Sequence, residues 1–451
     1  MPGEPSFVSG ALFGPIVTTD ALLAATSDRA WVQAMLDAER ALADAEEALG
    51  LVPAGSADAI GRSCNAGLFD IDALGRDARK GGNPVIPLVE ALRSRVGAPA
   101  ADWVHFGATS QDILDTAAML VATRAALAID ADLSALCGEA AALSDRHRST
   151  LMVGRTLLQH ALPITFGLKA AGWLTAASEG RSALRSVCNR LPVQLGGAAG
   201  TLAALGERGT DVAVAMASSL GLATPPLPWH TDRTIVAELA STLGMLAGIA
   251  SKIAWDVALM MQTEIAEAFE PAAPGRGGSS TLPQKRNPVA AAAVSSAHRR
   301  ASALVSVMLA AMANEHERAL GGWQAEWETL TQLLALAGGA VANVAEAVAG
   351  LEIDTDAMSK NLALTGGVLL AERVVVTLAP AIGRAEATKV VQEASARCQS
   401  SGRPFADELA GEPSVSAHLS AAQVAELLDP RGYLGSTETF IDRALAAYRS
   451  S

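Results

Sequence analysis

The sequence predicts an all-α fold of three helical domains, with a bundle of long helices at its centre. Three observations lead there. Half of the 451 residues are hydrophobic but only 4% are aromatic, so alanine and leucine carry the apolar content, which suits close-packed helices. Apolar residues recur at helical spacing through long runs, while alternating strand patterns are nearly absent. Capping residues and glycine or proline stops punctuate those runs. The divisions expected are an N-terminal helical domain over 1–111, a central bundle over 112–353 and a C-terminal helical domain over 354–451.

In chain order, Ser27 caps a helix over 27–50, in which Val32, Met35, Leu36, Leu42 and Leu49 share one face before Gly50 and Pro53 stop it. Helices over 70–79 and 86–96 flank the turn Gly81-Gly82-Asn83-Pro84. His105-Phe106-Gly107-Ala108-Thr109-Ser110-Gln111-Asp112 precedes a long helix to about residue 128, with Thr109 and Asp112 spaced as a capping box. Helical patterning resumes over 131–147, breaks at the polar stretch 154–163, and returns over 165–190. The glycine-rich stretch 194–201 has no βαβ unit around it, so it is not a dinucleotide fingerprint. Residues 225–233, with Trp229, His230 and Arg233, are irregular. Long helices over 234–267, 288–314 and 320–351 follow, and shorter helices with more turns occupy the remainder.

Composition narrows the function. The net charge of −13 and the lack of a long basic stripe argue against a nucleic-acid partner. No transmembrane span stands out: the most apolar candidate, 333–351, is broken by two glycines, Asn343 and Glu346. Residues 1–20 lack a basic stretch followed by an apolar run, so no secretory signal or membrane association is expected. Cys64, Cys137, Cys188 and Cys398 are far apart, which fits reduced thiols in a cytoplasmic protein. Glu315-His316-Glu317 does not converge on one helix face, HExxH is missing, and Walker, Rossmann and kinase motifs are missing too, so neither a metal nor a cofactor is expected. Alanine-rich helices that are apolar nearly all round point to an oligomer.

What remains is three polar clusters, each at the end of a predicted helix: 105–112, 154–163 and 275–288. The third runs Gly275-Arg276-Gly277-Gly278-Ser279-Ser280-Thr281-Leu282-Pro283-Gln284-Lys285-Arg286-Asn287-Pro288. Three glycines in four positions free the backbone, and Asn287-Pro288 has the signature of a helix start. By itself this run reads equally as a flexible connection with a good cap or as a mobile loop presenting cations and helix N–H groups to a carboxylate. Together the clusters supply His105, Thr109, Ser110, Gln159, His160, Ser279, Lys285, Arg286 and Asn287. That inventory fits proton transfer beside a carboxylate, where donors and cations stabilise the charge that builds up on its oxygens. Ser279, on the glycine hinge, is the candidate carrier of the proton, given activation by surrounding donors and exclusion of water. His160 either shares the acid/base work or only hydrogen-bonds.

These stretches resemble the fumarase/aspartase superfamily. GSSTLPQKRNP resembles its signature loop, with Leu282 where methionine is usual, a volume-conserving change. HFGATSQD and GRTLLQHALP resemble its other two conserved regions, and the likeness spans nearly the whole chain. The resemblance implies three mostly helical domains and a homotetramer around a large helix bundle, with three subunits contributing to each active site. It implies Ser279 as the catalytic base, Lys285 and Asn287 as carboxylate partners, and Thr109, Ser110 and Gln159 as substrate binders. Within the superfamily, LGGAAGTLAAL (195–205), PWHTDR (228–233), EHERALGGWQAEWETL (315–330) and LLDPRGYLG (427–435) resemble the bacterial 3-carboxy-cis,cis-muconate cycloisomerase family. That likeness implies a small tricarboxylate substrate and lactone closure in protocatechuate breakdown. The alternative, an adenylosuccinate lyase-like release of fumarate, fits less well. That pattern expects a histidine where Leu157 stands, a His-Asp pair where Asn83-Pro84 stands, and a phosphate-gripping serine and arginine where Trp323 and Trp327 stand.

Overall fold

The computed structural model describes residues 10–450 apart from Pro274, Arg276, Ser279 and Ser280. The fold is all-α, with two small two-stranded antiparallel sheets among the described residues. Two compact units can be told apart, each assembled from separated stretches of chain: Met1–Ser134, Glu179–Ala254 and Ala290–Ala345 form one, and Ala135–Ser178, Trp255–Val289 and Glu346–Ser451 the other.

Local chemistry sets the helix starts. Ser27 accepts the Ala30 N–H at 3.2 Å and opens the helix Asp28–Ala48. Asp70 does the same for Ile71–Gly81 by accepting from Ala73. Asn83 accepts the N–H groups of Val85 and Ile86 at the start of Val85–Val96. The expected break near residue 130 is not there: Ser110–Arg146 is one helix of 37 residues. Four further long helices among the described residues are Phe166–Cys188, Thr234–Met260, Val289–Ala310 and Gly322–Ala349.

In the first unit, glycines let these helices approach closely. A Cβ at Gly180 would lie 2.8 Å from Leu246, one at Gly244 would lie 2.6 Å from Val305, and one at Gly338 would lie 2.6 Å from Leu22 and 2.8 Å from Ile129. Alanine-rich faces therefore close into a dense core rather than leaving gaps. The second unit has its own core, in which Val374, Leu378, Val390, Val391, Phe405 and Leu409 pack together. Among the described residues two helices, Thr234–Met260 and Gly322–Ala349, are long and apolar enough to cross a membrane by length and composition; the sequence had offered 333–351, largely within the second, only as a broken candidate, and had not pointed to the first. Half of the apolar window of the first and 72% of that of the second are buried within the protein, so packing accounts for much of their apolar character.

The stretch 154–163 departs from expectation. It is not an irregular break between helices but part of a hairpin, Leu151–Thr156 paired with Gln159–Thr165. Leu157 and Leu158 form its tip with φ of 50° and 64°.

Candidate active site

The first cluster lies in the first unit and is anchored from several directions. Thr109 N donates to Asp112 Oδ2 at 2.9 Å, which is half of the expected capping box. The Thr109 hydroxyl is engaged elsewhere, accepting from Arg318 Nη1 at 2.9 Å. Arg318 Nη2 donates to the carbonyl of Ala198 at 3.0 Å. Asp112 is fully buried and accepts the N–H groups of Gly196 and Gly197, each at 2.9 Å, with His230 Nε2 2.7 Å from its Oδ1. The glycine-rich stretch 194–201 is thus held through its N–H groups by Asp112 and through a carbonyl by Arg318. A side chain at Gly197 would press on the Gly107 carbonyl at 3.1 Å, which is why this stretch is glycine-rich. Ser110 begins the helix, so its N–H is one of the first-turn groups that carry the partial positive charge of the helix N-terminus.

His105 sits in the left-handed region at φ 63°, with Nδ1 2.6 Å from Glu39 Oε1. Burial alone would lower its pKa, but the Glu39 charge and hydrogen bond outweigh it and hold the imidazole above its ordinary value.

Beneath this layer lies a buried ion cluster. Arg233 donates to Asp115 through Nη1 at 2.8 Å and Nη2 at 3.1 Å, bonds both oxygens of Glu326, and stacks 4.8 Å from the Trp229 ring. Trp323 Nε1 donates to Asp115 Oδ1 at 3.0 Å, and Trp323 packs edge-on against Trp327 at 4.9 Å between centroids. One cation serves two carboxylates here, and burial pushes the Glu326 carboxyl up against the pull of Arg233.

The second and third clusters lie in the second unit. Gln159 and His160 stand on the return strand of the hairpin, opposite Thr156 and Arg155. Arg155 grips fully buried Glu267 with two bonds of 2.8 Å, and Asn361 Nδ2 adds a third at 2.9 Å. His160 has a lowered pKa, chiefly through burial and then the Arg155 charge, with Glu267 opposing.

In the loop, Asn287 N donates to the Gly277 carbonyl at 2.8 Å and Asn287 Nδ2 lies 3.5 Å from that of Gly278. Gly277 has φ 68°, and a side chain there would collide with the Asn287 carbonyl at 2.8 Å. Asn287 therefore ties the loop to itself across the helix start at Val289. Lys285 is exposed. Arg286 is committed to neighbours: both guanidinium nitrogens reach Glu352 at 2.9 Å, one also reaches the Glu270 carbonyl at 2.8 Å, and the group stacks 4.7 Å from the Phe269 ring. Ser279 lies outside the described residues.

Sequence reasoning assigned no role to Glu39, Arg155, Arg233, Glu267 or Arg318. The three arginines stand inside the motifs GRT, PWHTDR and EHER, and that position was the available signal. Among the described residues, no group of three or more His, Cys, Asp or Glu side chains is placed to hold a metal ion.

Comparison with known proteins places these features in context. Residues 15–302 match the Lyase family and residues 367–444 the adenylosuccinate lyase C-terminus family. The chain is 47% identical over 438 residues to a 3-carboxy-cis,cis-muconate cycloisomerase of Bradyrhizobium diazoefficiens, covering 96% of this chain and 97% of the relative. It is 44% identical over 455 residues to a nitrosuccinate lyase of Streptomyces davaonensis, covering 98% and 96%. Its fold is similar to the crystal structure of the 3-carboxy-cis,cis-muconate lactonizing enzyme from Pseudomonas putida, with a TM-score of 0.93 at 44% identity over 97% of this chain and 99% of that one. By sequence and by fold, the chain belongs to the fumarase/aspartase superfamily and, within it, to the 3-carboxy-cis,cis-muconate cycloisomerase family.

Proposed function

We propose that this chain converts 3-carboxy-cis,cis-muconate to 4-carboxymuconolactone, without a cofactor, in protocatechuate (β-ketoadipate) degradation. One of the substrate's own carboxylates adds across a double bond. The new C–O bond closes the lactone, and the displaced π pair takes up a proton at the carbon beside another carboxylate. Ser279 handles that proton. Lys285, Asn287 and helix-terminal N–H groups hold the enolate-like charge, with His105, Thr109, Ser110 and Gln159 around the remaining carboxylates. His160, with its lowered pKa, is neutral at pH 7 and suited to accept rather than to carry charge.

The observation that carries this reading is the Trp323–Glu326–Trp327 stretch. A nucleotide lyase needs a serine and an arginine there to grip phosphate. Here two tryptophans pack against one another, and the intervening Glu326 binds Arg233. A phosphate would meet indole rings and a carboxylate, whereas a compact tricarboxylate does not need that subsite.

The reading includes a cytoplasmic homotetramer with shared active sites and three consecutive domains, 1–111, 112–353 and 354–451. The hairpin tip supports shared sites. Leu157 and Leu158 are 97% and 74% exposed in a backbone region that bulky residues avoid. Covering by another copy of the chain accounts for the exposure, while the positive φ values are those that a two-residue hairpin turn requires.

The test is the loss of diene absorbance with 3-carboxy-cis,cis-muconate, run beside nitrosuccinate. The identity to a nitrosuccinate lyase makes elimination from that substrate the second reading. Turnover of the muconate is expected, and Ser279→Ala should lower it at least about 1,000-fold with the helical spectrum intact. Turnover of nitrosuccinate alone overturns the reading, and near-normal activity of the serine variant overturns the mechanism.

A further inference from the structure

We propose that Glu39 is a positioning residue for the reaction: its buried carboxylate accepts the Nδ1–H of the His105 imidazolium, whose other donor, Nε2–H, is thereby presented to a substrate carboxylate at the start of the Ser110–Arg146 helix. This rests on the reading that His105 and Thr109 face the substrate.

Glu39 lies on the inner face of the helix Asp28–Ala48 and is 1% exposed. The His105 side chain is 15% exposed. With Nδ1 turned to a buried oxygen 2.6 Å away, the accessible edge of the ring is the one that carries Nε2. A carboxylate on Nδ1 takes that nitrogen's N–H, so Nε2 carries a proton of its own only in the imidazolium, the form that a carboxylate partner favours.

The backbone is built around the same orientation. Arg93 Nη2 donates to the Val104 carbonyl at 3.0 Å, just before His105. His105 and Gly107 both adopt positive φ, and Gly107 packs where a Cβ would lie 2.5 Å from Leu205. A left-handed non-glycine residue held from both sides is the kind of local strain found at functional sites.

The charged groups that face His105 are Glu39, Arg93 from the helix Val85–Val96, and Asp112 from the Ser110–Arg146 helix. Burial and Arg93 disfavour the imidazolium, while Glu39 and Asp112 favour it, and the net direction is upward. Asp112 is itself occupied by Gly196, Gly197 and His230. Glu39 is the charge that contacts the ring directly. Its second oxygen is buried with no partner among the described residues, so the carboxylate is oriented toward His105 rather than shared out.

The test compares Glu39→Gln, His105→Gln and the double variant in the full-length protein. Two readouts are needed: the pH profile of kcat/KM on the substrate that the wild type turns over, and the NMR titration of the His105 ring. Glu39→Gln should lower kcat/KM about 10-fold or more near pH 7.5, and it should shift the alkaline limb and the His105 titration to lower pH. The double variant should be no worse than His105→Gln alone, because both changes remove one function. Glu39→Asp, which keeps the charge, should recover part of the loss and serves if the glutamine variant does not fold. Tricarballylate, a stable tricarboxylate, should perturb the His105 Nε2 resonance in the wild type, and that result does not depend on which reaction is catalysed. A Glu39→Gln protein that loses thermal stability but keeps kcat/KM and its pH profile overturns the proposal. So does a His105 resonance indifferent to tricarballylate, whereas failure to turn over the muconate sinks only the assignment of substrate.

Discussion

His230 Nε2 lies 2.7 Å from Asp112 Oδ1, and both side chains are buried. The same carboxylate receives the N–H groups of Thr109, Gly196 and Gly197. One acid therefore joins the helix start at Ser110, the glycine-rich stretch and the PWHTDR segment.

Asp112→Ala should be among the most damaging single changes. It leaves three backbone N–H groups and a histidine without their acceptor inside the protein, where breaking a buried network costs about 3–5 kcal/mol. Urea unfolding of the variant is expected to show that loss, with kcat/KM falling as well because Thr109 is no longer held. A loss under about 1 kcal/mol would mean that water or local rearrangement replaces the acid.

Arg286 is expected to act through the loop and not by touching substrate. Its partner Glu352 is close to half exposed, so the pair itself adds at most about 1 kcal/mol to stability. Arg286→Ala and Glu352→Ala should each lower kcat/KM by a similar factor, about 3- to 10-fold, and the double variant by no more than either. A much larger effect from Arg286→Ala, chiefly on KM, would instead make Arg286 a direct partner of the substrate.

Glu46 sets an alkaline weakness. It is fully buried, neither of its oxygens has a partner among the described residues, and burial, followed by the Glu39 charge, raises its pKa from 4.5 to about 8. The folded chain therefore holds this proton more tightly than the unfolded chain does. Stability present below pH 4.5 is lost as pH rises towards about 8, at up to about 1.4 kcal/mol per pH unit. Glu46→Gln mimics the protonated form. Denaturant midpoints measured at pH 5 and pH 8 should show the variant gaining on the wild type as pH rises, and a difference that stays constant would exclude this role for Glu46.

The legible parts of the sequence were those whose causes are local. Ser27 and Asp70 announced helix starts because a cap bonds within three residues. The three polar clusters were visible because hydroxyls, histidines, amides and cations stand close together in the chain itself, although only the first and third of them lie at helix starts. The lack of a phosphate grip was also visible, since Trp323 and Trp327 bring one neutral indole N–H each, and no cation, to the places of a serine and an arginine.

What only the tertiary structure decided was the partner of each group. Glu39 and His105 are 66 residues apart, Thr109 and Arg318 are 209 apart, and Arg286 and Glu352 are 66 apart, and nothing local in the sequence records such pairings. The hairpin was hidden for the same reason. Its tip, Leu157-Leu158, lacks the Asn-Gly signal of a tight turn, and Arg155 of the first strand is fixed by Glu267, 112 residues away. The sequence by itself determined which chemistry was on hand and where the helices begin. The fold determined which charges are neutralised by a neighbour, because a buried charge takes its properties from whatever surrounds it.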